Sequence, residues 1–167
     1  MLIVIFLLAD YSSLTSGTQI LEELKKSGLL NLLLPILYIF SIVVIIWSVR
    51  GSVLGITVNR MSLIILILFA SAIYFMNLRD EANKIHFLEY ETITFVAFKA
   101  LELDIKKRTV YFLTLAGISM LGVIEEVIQS MYPDRSFDIN DLKIDIVSAV
   151  FTVVFIYILR EKFIFPV

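Results

Sequence analysis

A chain of 167 residues that is 59% hydrophobic, with a mean hydropathy of +0.93, is more apolar than a water-soluble monomer, for which about half is usual. Its 14 Lys and Arg against 16 Asp and Glu give a net charge of -2, so no overall basic field draws it to nucleic acid. The absence of cysteine excludes disulfides, thiolate catalysis, Cys-ligated zinc and iron-sulfur clusters, and a single histidine excludes a multi-His metal site within one chain. Charged residues fall in short clusters between long apolar runs, the pattern of an integral membrane protein. The fold class implied is all-α, a polytopic helical bundle in which residues 1–167 form a single transmembrane domain.

A spanning helix needs about 20 mostly apolar residues. Met1 to Ala9 is apolar but too short to cross alone. Its readings are an interfacial helix, the remnant of a longer span, or the core of a signal peptide without a charged start or a cleavage site. Leu29 to Val49 is uncharged and contains Pro35, Tyr38 and Trp47. Met61 to Leu78 is uncharged between Arg60 and Arg79, and His86 to Leu101 carries Glu89 and Glu91 in its first two turns. Thr109 to Tyr132 contains Glu125 and Glu126, and Asp141 to Leu159 is polar at its start and apolar from Ile146. The reading is five clear spans plus the short N-terminal apolar segment.

Cytoplasmic loops keep an excess of Lys and Arg. Alternating the spans puts Arg50, Arg60, Lys106, Lys107, Arg108, Arg160 and Lys162 on one side, and Lys25, Lys26, Arg79, Lys84, Arg135 and Lys143 on the other. The Lys106-Lys107-Arg108 cluster and the acid-free loop with Arg50 and Arg60 assign the first side to the cytoplasm. The loops around residues 79–84 and 133–141 then face outward from a plasma membrane.

Most of the unexplained polar residues lie near that outer face. His86, Glu89 and Tyr90 are spaced i, i+3 and i+4 and share one side of a helix. Glu125 and Gln129 are also i and i+4, and Glu125 lies about 24 Å along its span at 1.5 Å per residue, a turn or so below the outer boundary. Asp145 lies one turn inside Asp141. Insertion scales put a lone charge at the bilayer centre at about 2.5 to 3.5 kcal/mol, and even part of that cost favours turning these groups toward one another. An outward polar pocket is the expected arrangement.

The stretch Asn83-Lys84-Ile85-His86-Phe87-Leu88-Glu89-Tyr90 resembles the first signature of VanZ-like membrane proteins. The second signature is similar to Gly122-x-x-Glu125-Glu126-x-x-Gln129, followed by Pro133-Asp134-Arg135 and Asp138-x-x-Asp141. The two motifs lie within residues 83–141, about a third of the chain. The positions that match are His86, Glu89, Tyr90, Glu126, Gln129, Arg135, Asp138 and Asp141. The resemblance implies a small helical membrane protein of the cell envelope in which these residues share a site, in a family associated with glycopeptide (teicoplanin) resistance. Three positions depart: Glu91 and Ser148 stand where the family commonly has Gly, and Asp145 where it usually has Asn.

From these residues His86, Glu89 and Glu126 are the candidate catalytic groups, with Lys84, Tyr90, Gln129, Arg135, Asp138 and Asp141 as candidate ligand contacts. Glu125 and Glu126, being adjacent, cannot face the same way, so one of them is expected to be structural or turned to headgroups, and Glu126 is favoured for the site. Asp138 and Asp141 also fit as N-cap acids of the last span, and Arg135 as a loop arginine on lipid phosphate. No P-loop, dinucleotide glycine pattern, G-x-S-x-G or H-E-x-x-H is present. The same polar set suits general acid-base chemistry, a carboxylate-held divalent cation, or binding without chemistry, and whether any metal or cofactor is used stays open. The leading reading is an envelope protein that binds, and in an enzymatic form modifies, an amphiphilic or lipid-linked precursor at the outer leaflet. The alternatives are an enzyme on a lipid phosphate headgroup and a transporter or structural membrane subunit. Transport is disfavoured because it calls for ionisable groups near the midplane, whereas these are shallow.

Overall fold

The computed structural model describes residues 24–49, 58–105, 108–131 and 135–160, and everything described is helix or short connection. The expected segment Met1 to Ala9 lies outside the described residues, as do Lys106, Lys107 and Pro133. The helices are α1 (Leu29–Val49), α2 (Val58–Asn77), α3 (Glu81–Asp104), α4 (Thr109–Gln129) and α5 (Ile139–Arg160). The chain falls into two compact units, one up to Leu37 and one from Tyr38 onward. In the first, Gly28 takes φ 71° and returns its N–H to the Lys25 carbonyl at 3.1 Å, a left-handed turn that a side chain would strain. It sets the start of α1.

Among the described residues four helices are long and apolar enough to cross a membrane: Leu29–Val49, Arg60–Asn77, Thr109–Gln129 and Ile139–Arg160. The fifth expected span is not among them, because α3, although 24 residues long, carries charged side chains along much of its length. It also starts five residues earlier than His86. Asp80 is its N-cap, accepting the Asn83 N–H at 2.8 Å, and Glu81 adds an acid to the first turn where the helix dipole favours one. His86 is therefore in the second turn and Lys84 in the first.

Within the second unit the last helix, α5, is the centre of the bundle and packs against α2, α3 and α4. The reason is visible along one face: Asp145, Ser148, Ala149, Thr152 and Ile156 are all 3% exposed or less. Three of these five are small or short, which lets neighbouring backbones come close, and close packing is the main attraction between helices in lipid. Ser148 Oγ donates to the Phe87 carbonyl at 2.6 Å, tying α5 to α3. Near it, Phe87 meets Tyr74, Phe75 and Phe151 at ring separations of 5.9, 5.7 and 6.4 Å, an aromatic layer that joins three helices.

The opposite end is closed by arginine. Arg60, 5% exposed, donates from Nε to the Ile158 carbonyl at 2.6 Å and from Nη2 to the Leu159 carbonyl. It thereby adds a charged donor to two carbonyls in the last described turn of α5. Arg60 is thus more than the loop charge expected of it. Arg160 pairs with Glu102 and lies over the Phe98 ring, 5.4 Å from its centroid.

Candidate functional site

At the end of the bundle away from Arg60, side chains of α3, α4 and α5 meet in two hydrogen-bonded or ion-paired groups. In the first, Tyr90 Oη donates to Glu125 Oε2 at 2.5 Å, Gln129 Nε2 donates to Glu125 Oε1 at 2.9 Å, and Arg135 Nη1 donates to Gln129 Oε1 at 2.6 Å. Tyr90 is fully buried and Arg135 is exposed, so the series runs from the core to the surface. Both Glu125 oxygens face N–H or O–H donors, the environment of a carboxylate that accepts.

In the second group His86 stands between two acids of α5. Its Nε2 is 3.9 Å from Asp141 Oδ2 and its Nδ1 is 3.6 Å from Asp145 Oδ1, ion-pair spacings too long for direct hydrogen bonds. Glu126, 1% exposed, accepts the Asp138 N–H on Oε2 at 2.8 Å. Four buried atoms here have no hydrogen-bond partner among the described residues: His86 Nδ1, Glu126 Oε1 and both oxygens of Asp145. Three of the four are carboxylate acceptors.

Gly122 makes this approach possible. A Cβ there would come within 3.2 Å of Leu142 Cδ1, 3.3 Å of Asp145 Oδ2 and 3.5 Å of Tyr90 Oη. Its missing side chain lets α4 sit against both acid-bearing and tyrosine-bearing helices.

Of the residues expected from the sequence, the geometry brings together His86, Tyr90, Glu126, Gln129, Arg135, Asp138 and Asp141. Glu89 is half-buried beside Tyr90, and Lys84 is half-buried one turn before Leu88 on α3. Asp138 does more than approach Glu126. Its Oδ1 accepts the Asn140 N–H at 2.7 Å, so it caps α5, one of the two roles expected for it. Of the two roles expected for the second of this adjacent pair, structural or turned to headgroups, the headgroup role holds for neither Glu125 nor Glu126. Both are buried, at 8% and 1%, because α4 lies against α3 and α5 and adjacent residues, about 100° apart on a helix, each reach a different neighbour. Asp145 and Ser148 stand outside the expected catalytic and contact residues, yet the structure sets both fully inside the contact of α3 with α5. The signal that marks Asp145 is its i, i+4 spacing from Asp141.

Among the described residues no group of three or more His, Asp or Glu side chains is placed to hold a metal ion. What the arrangement offers is a histidine flanked by carboxylates, unsatisfied acceptors, and an arginine at the rim, suited to gripping donor groups and to moving a proton. The class defined by fold and composition is an all-helical protein with helices able to cross a membrane. Comparison with known proteins adds no family to that class: no family model, no curated protein and no solved structure matches the chain.

Proposed function

We propose that this is a VanZ-like protein of the plasma membrane, with α3 as a fifth span and the cluster around His86 and Glu126 facing outward. There it binds, and in an enzymatic form of the reading modifies, an amphiphilic or lipid-linked envelope molecule at the outer leaflet. The observation that carries the reading is the set of buried, unsatisfied acceptors on Glu126 and Asp145 beside His86. A buried acceptor without a partner costs about 1 to 3 kcal/mol, a cost that a ligand bearing hydroxyl or amine donors removes on binding. His86 and Glu126 are the groups suited to proton transfer, and Tyr90, Gln129, Arg135 and Asp141 the contacts.

A second reading has its own support. The hydrogen bonds from Tyr90 to Glu125 and from Asp138 to Glu126 cross between helices, as they would in a structural subunit whose buried polar groups hold the bundle together. Binding decides between the two. Purified protein in lipid nanodiscs is expected to take up a lipid-linked wall precursor saturably, and Glu126→Gln to lose that uptake while remaining folded. Uptake that is not saturable, or that survives in Glu126→Gln, favours the structural reading.

Orientation is testable in the same cysteine-free chain. Single cysteines in place of Asp80 and Pro133 are expected to react with an impermeant thiol reagent on intact cells, and one in place of Lys106 is not. The reverse pattern would turn the proposed site toward the cytoplasm and remove the outer-leaflet ligand.

A further inference from the structure

Glu91 belongs to neither group of the outer cluster. It follows Tyr90 directly, but on a helix the next residue points about 100° away, and Glu91 turns into the interior between α1, α2, α3 and α5. It is 6% exposed, ten residues along α3, hence about 15 Å from Glu81 and near the middle of that helix. Beside it is a cavity of about 10 Å³, also lined by Tyr38, Ser71, Phe87, Phe151 and Thr152, with room for about one water molecule. The lining contains no Lys, Arg, His or second acid from any of the four helices; its one other titratable group is the Tyr38 phenol. An ionised carboxylate there would lack the paired charge that buried ions require.

The hydroxyl beside Glu91 accommodates a protonated carboxyl. Ser41 Oγ lies 2.7 Å from the Tyr38 carbonyl oxygen and 2.8 Å from Glu91 Oε2. A serine hydroxyl has one hydrogen, and a carbonyl only accepts. If Ser41 donates to Tyr38, the contact with Glu91 is a hydrogen bond only when the hydrogen comes from Glu91. Next door Ser71 Oγ is 3.1 Å from the Leu68 carbonyl and 2.5 Å from Tyr38 Oη, a pair in which either hydroxyl can donate. Glu125 is the contrast within the chain, a carboxyl met by two donors.

We propose that Glu91 is a proton-binding site inside the bundle, its carboxyl held as the neutral acid with Oε2–H donating to Ser41 Oγ and its ligand a proton exchanged through the adjoining cavity. The site is separate from the outer cluster and stands whether or not that cluster binds an envelope molecule. A neutral carboxyl in an apolar interior is the form that a hydrophobic carbodiimide attacks: the acid proton moves to a carbodiimide nitrogen, the carboxyl oxygen bonds to the central carbon, and the adduct rearranges to a stable N-acylurea.

The experiment treats the full chain, in detergent or bilayer at neutral pH, with dicyclohexylcarbodiimide and locates adducts by peptide mass spectrometry. The expected result is an adduct on Glu91 that is missing in Glu91→Gln, is not formed by a water-soluble carbodiimide, and forms at an unchanged rate when sodium is raised at constant pH. Infrared spectra are expected to show a protonated carboxyl C=O stretch that is absent in Glu91→Gln and moves to higher frequency in Ser41→Ala, whose serine acceptor is gone. Wild type and Ser41→Ala decide the question even where Glu91→Gln does not fold. No adduct on Glu91, protection by sodium, or a C=O stretch that Ser41→Ala leaves in place would each overturn the proposal, sodium protection by marking a metal-cation site.

Discussion

The two ends of the bundle handle buried charge in opposite ways. At one end Arg60 reaches two carbonyls at the end of α5, and Arg160 meets Glu102, so each cation is matched by acceptors of the fold itself. At the other, Glu125, Glu126, Asp141 and Asp145 crowd around one histidine, with Arg135 at the rim, and three buried carboxylate oxygens find no donor among the described residues. The first end is closed chemically, and a helix C-terminus, with its partial negative charge, is a natural seat for a cation. The second end is left incomplete. Buried polar groups are almost always satisfied in native proteins, so unsatisfied acceptors gathered at one end are the feature on which the proposed ligand site rests. Charge in a membrane bundle therefore has to be sorted by whether the protein satisfies it, and its mere presence in a span says little.

The largest effect expected from breaking this contrast lies at the closed end. Arg60→Ala removes two hydrogen bonds from a charged donor, each worth roughly 1.5 kcal/mol, and is expected to lower unfolding free energy by about 3 kcal/mol in a detergent denaturation titration. Arg60→Lys keeps the charge but not the two-pronged geometry, so it should fall between. If Arg60→Ala unfolds like the wild type, the arginine is not the closure described.

The glycines of α4 sharpen the contrast at the other end. Nothing lies within 4 Å of a Cβ built on Gly117, whereas one on Gly122 crowds Leu142 and Asp145. Gly117→Ala is expected to stabilise by about 0.8 kcal/mol from helix propensity alone. Gly122→Ala sets the same gain against overpacking of about 1 to 3 kcal/mol and should be net destabilising. Thermal melts of the two variants side by side check the difference; equal stabilisation would mean that α4 is not held close to Asp145.

A smaller effect belongs to Glu102, just beyond the expected span His86 to Leu101. Burial works to raise its carboxyl, but hydrogen bonds from Arg160 and Lys99 outweigh this and hold it below the ordinary carboxylate range. A depressed acid contributes stability at neutral pH and loses it as the pH falls through its folded value. Glu102→Gln should therefore cost at most about 1 kcal/mol at neutral pH, and the difference from wild type should vanish on acidification. A difference that persists in acid would show that packing, and not charge, is the source.

How much of this the sequence makes legible differs by kind of feature. The helices α1, α2, α4 and α5 are readable from apolar length, since the hydrocarbon core sets one requirement for all of them. The start of α3 is readable too, in Asp80-Glu81-Ala82-Asn83, but the motif at His86 draws the boundary inward past the cap. The i, i+4 spacing of Glu125 and Gln129 corresponds to a direct hydrogen bond within α4. What spacing leaves open is which neighbouring helix a face meets. That Glu125 goes to Tyr90, that Asp145 approaches His86, and that Arg60 reaches across 98 residues to Ile158 are properties of packing between helices distant in sequence. The same holds for Glu91, whose hydrogen-bond contact with Ser41 joins residues fifty positions apart.

The proposal that the outward-facing cluster around His86 is kept for a ligand, and Arg60 at the other end for the fold, is tested most directly by one paired measurement. His86→Asn and Glu126→Gln at the outer end, with Arg60→Ala at the inner end, are compared for membrane insertion, thermal stability in detergent and cellular glycopeptide sensitivity. The expected result is that the two outer variants insert and melt close to wild type yet lose the phenotype, while Arg60→Ala loses stability. Outer variants whose stability falls in step with their phenotype would contradict the claim, because removing one member of a structural pair leaves its partner buried and uncompensated.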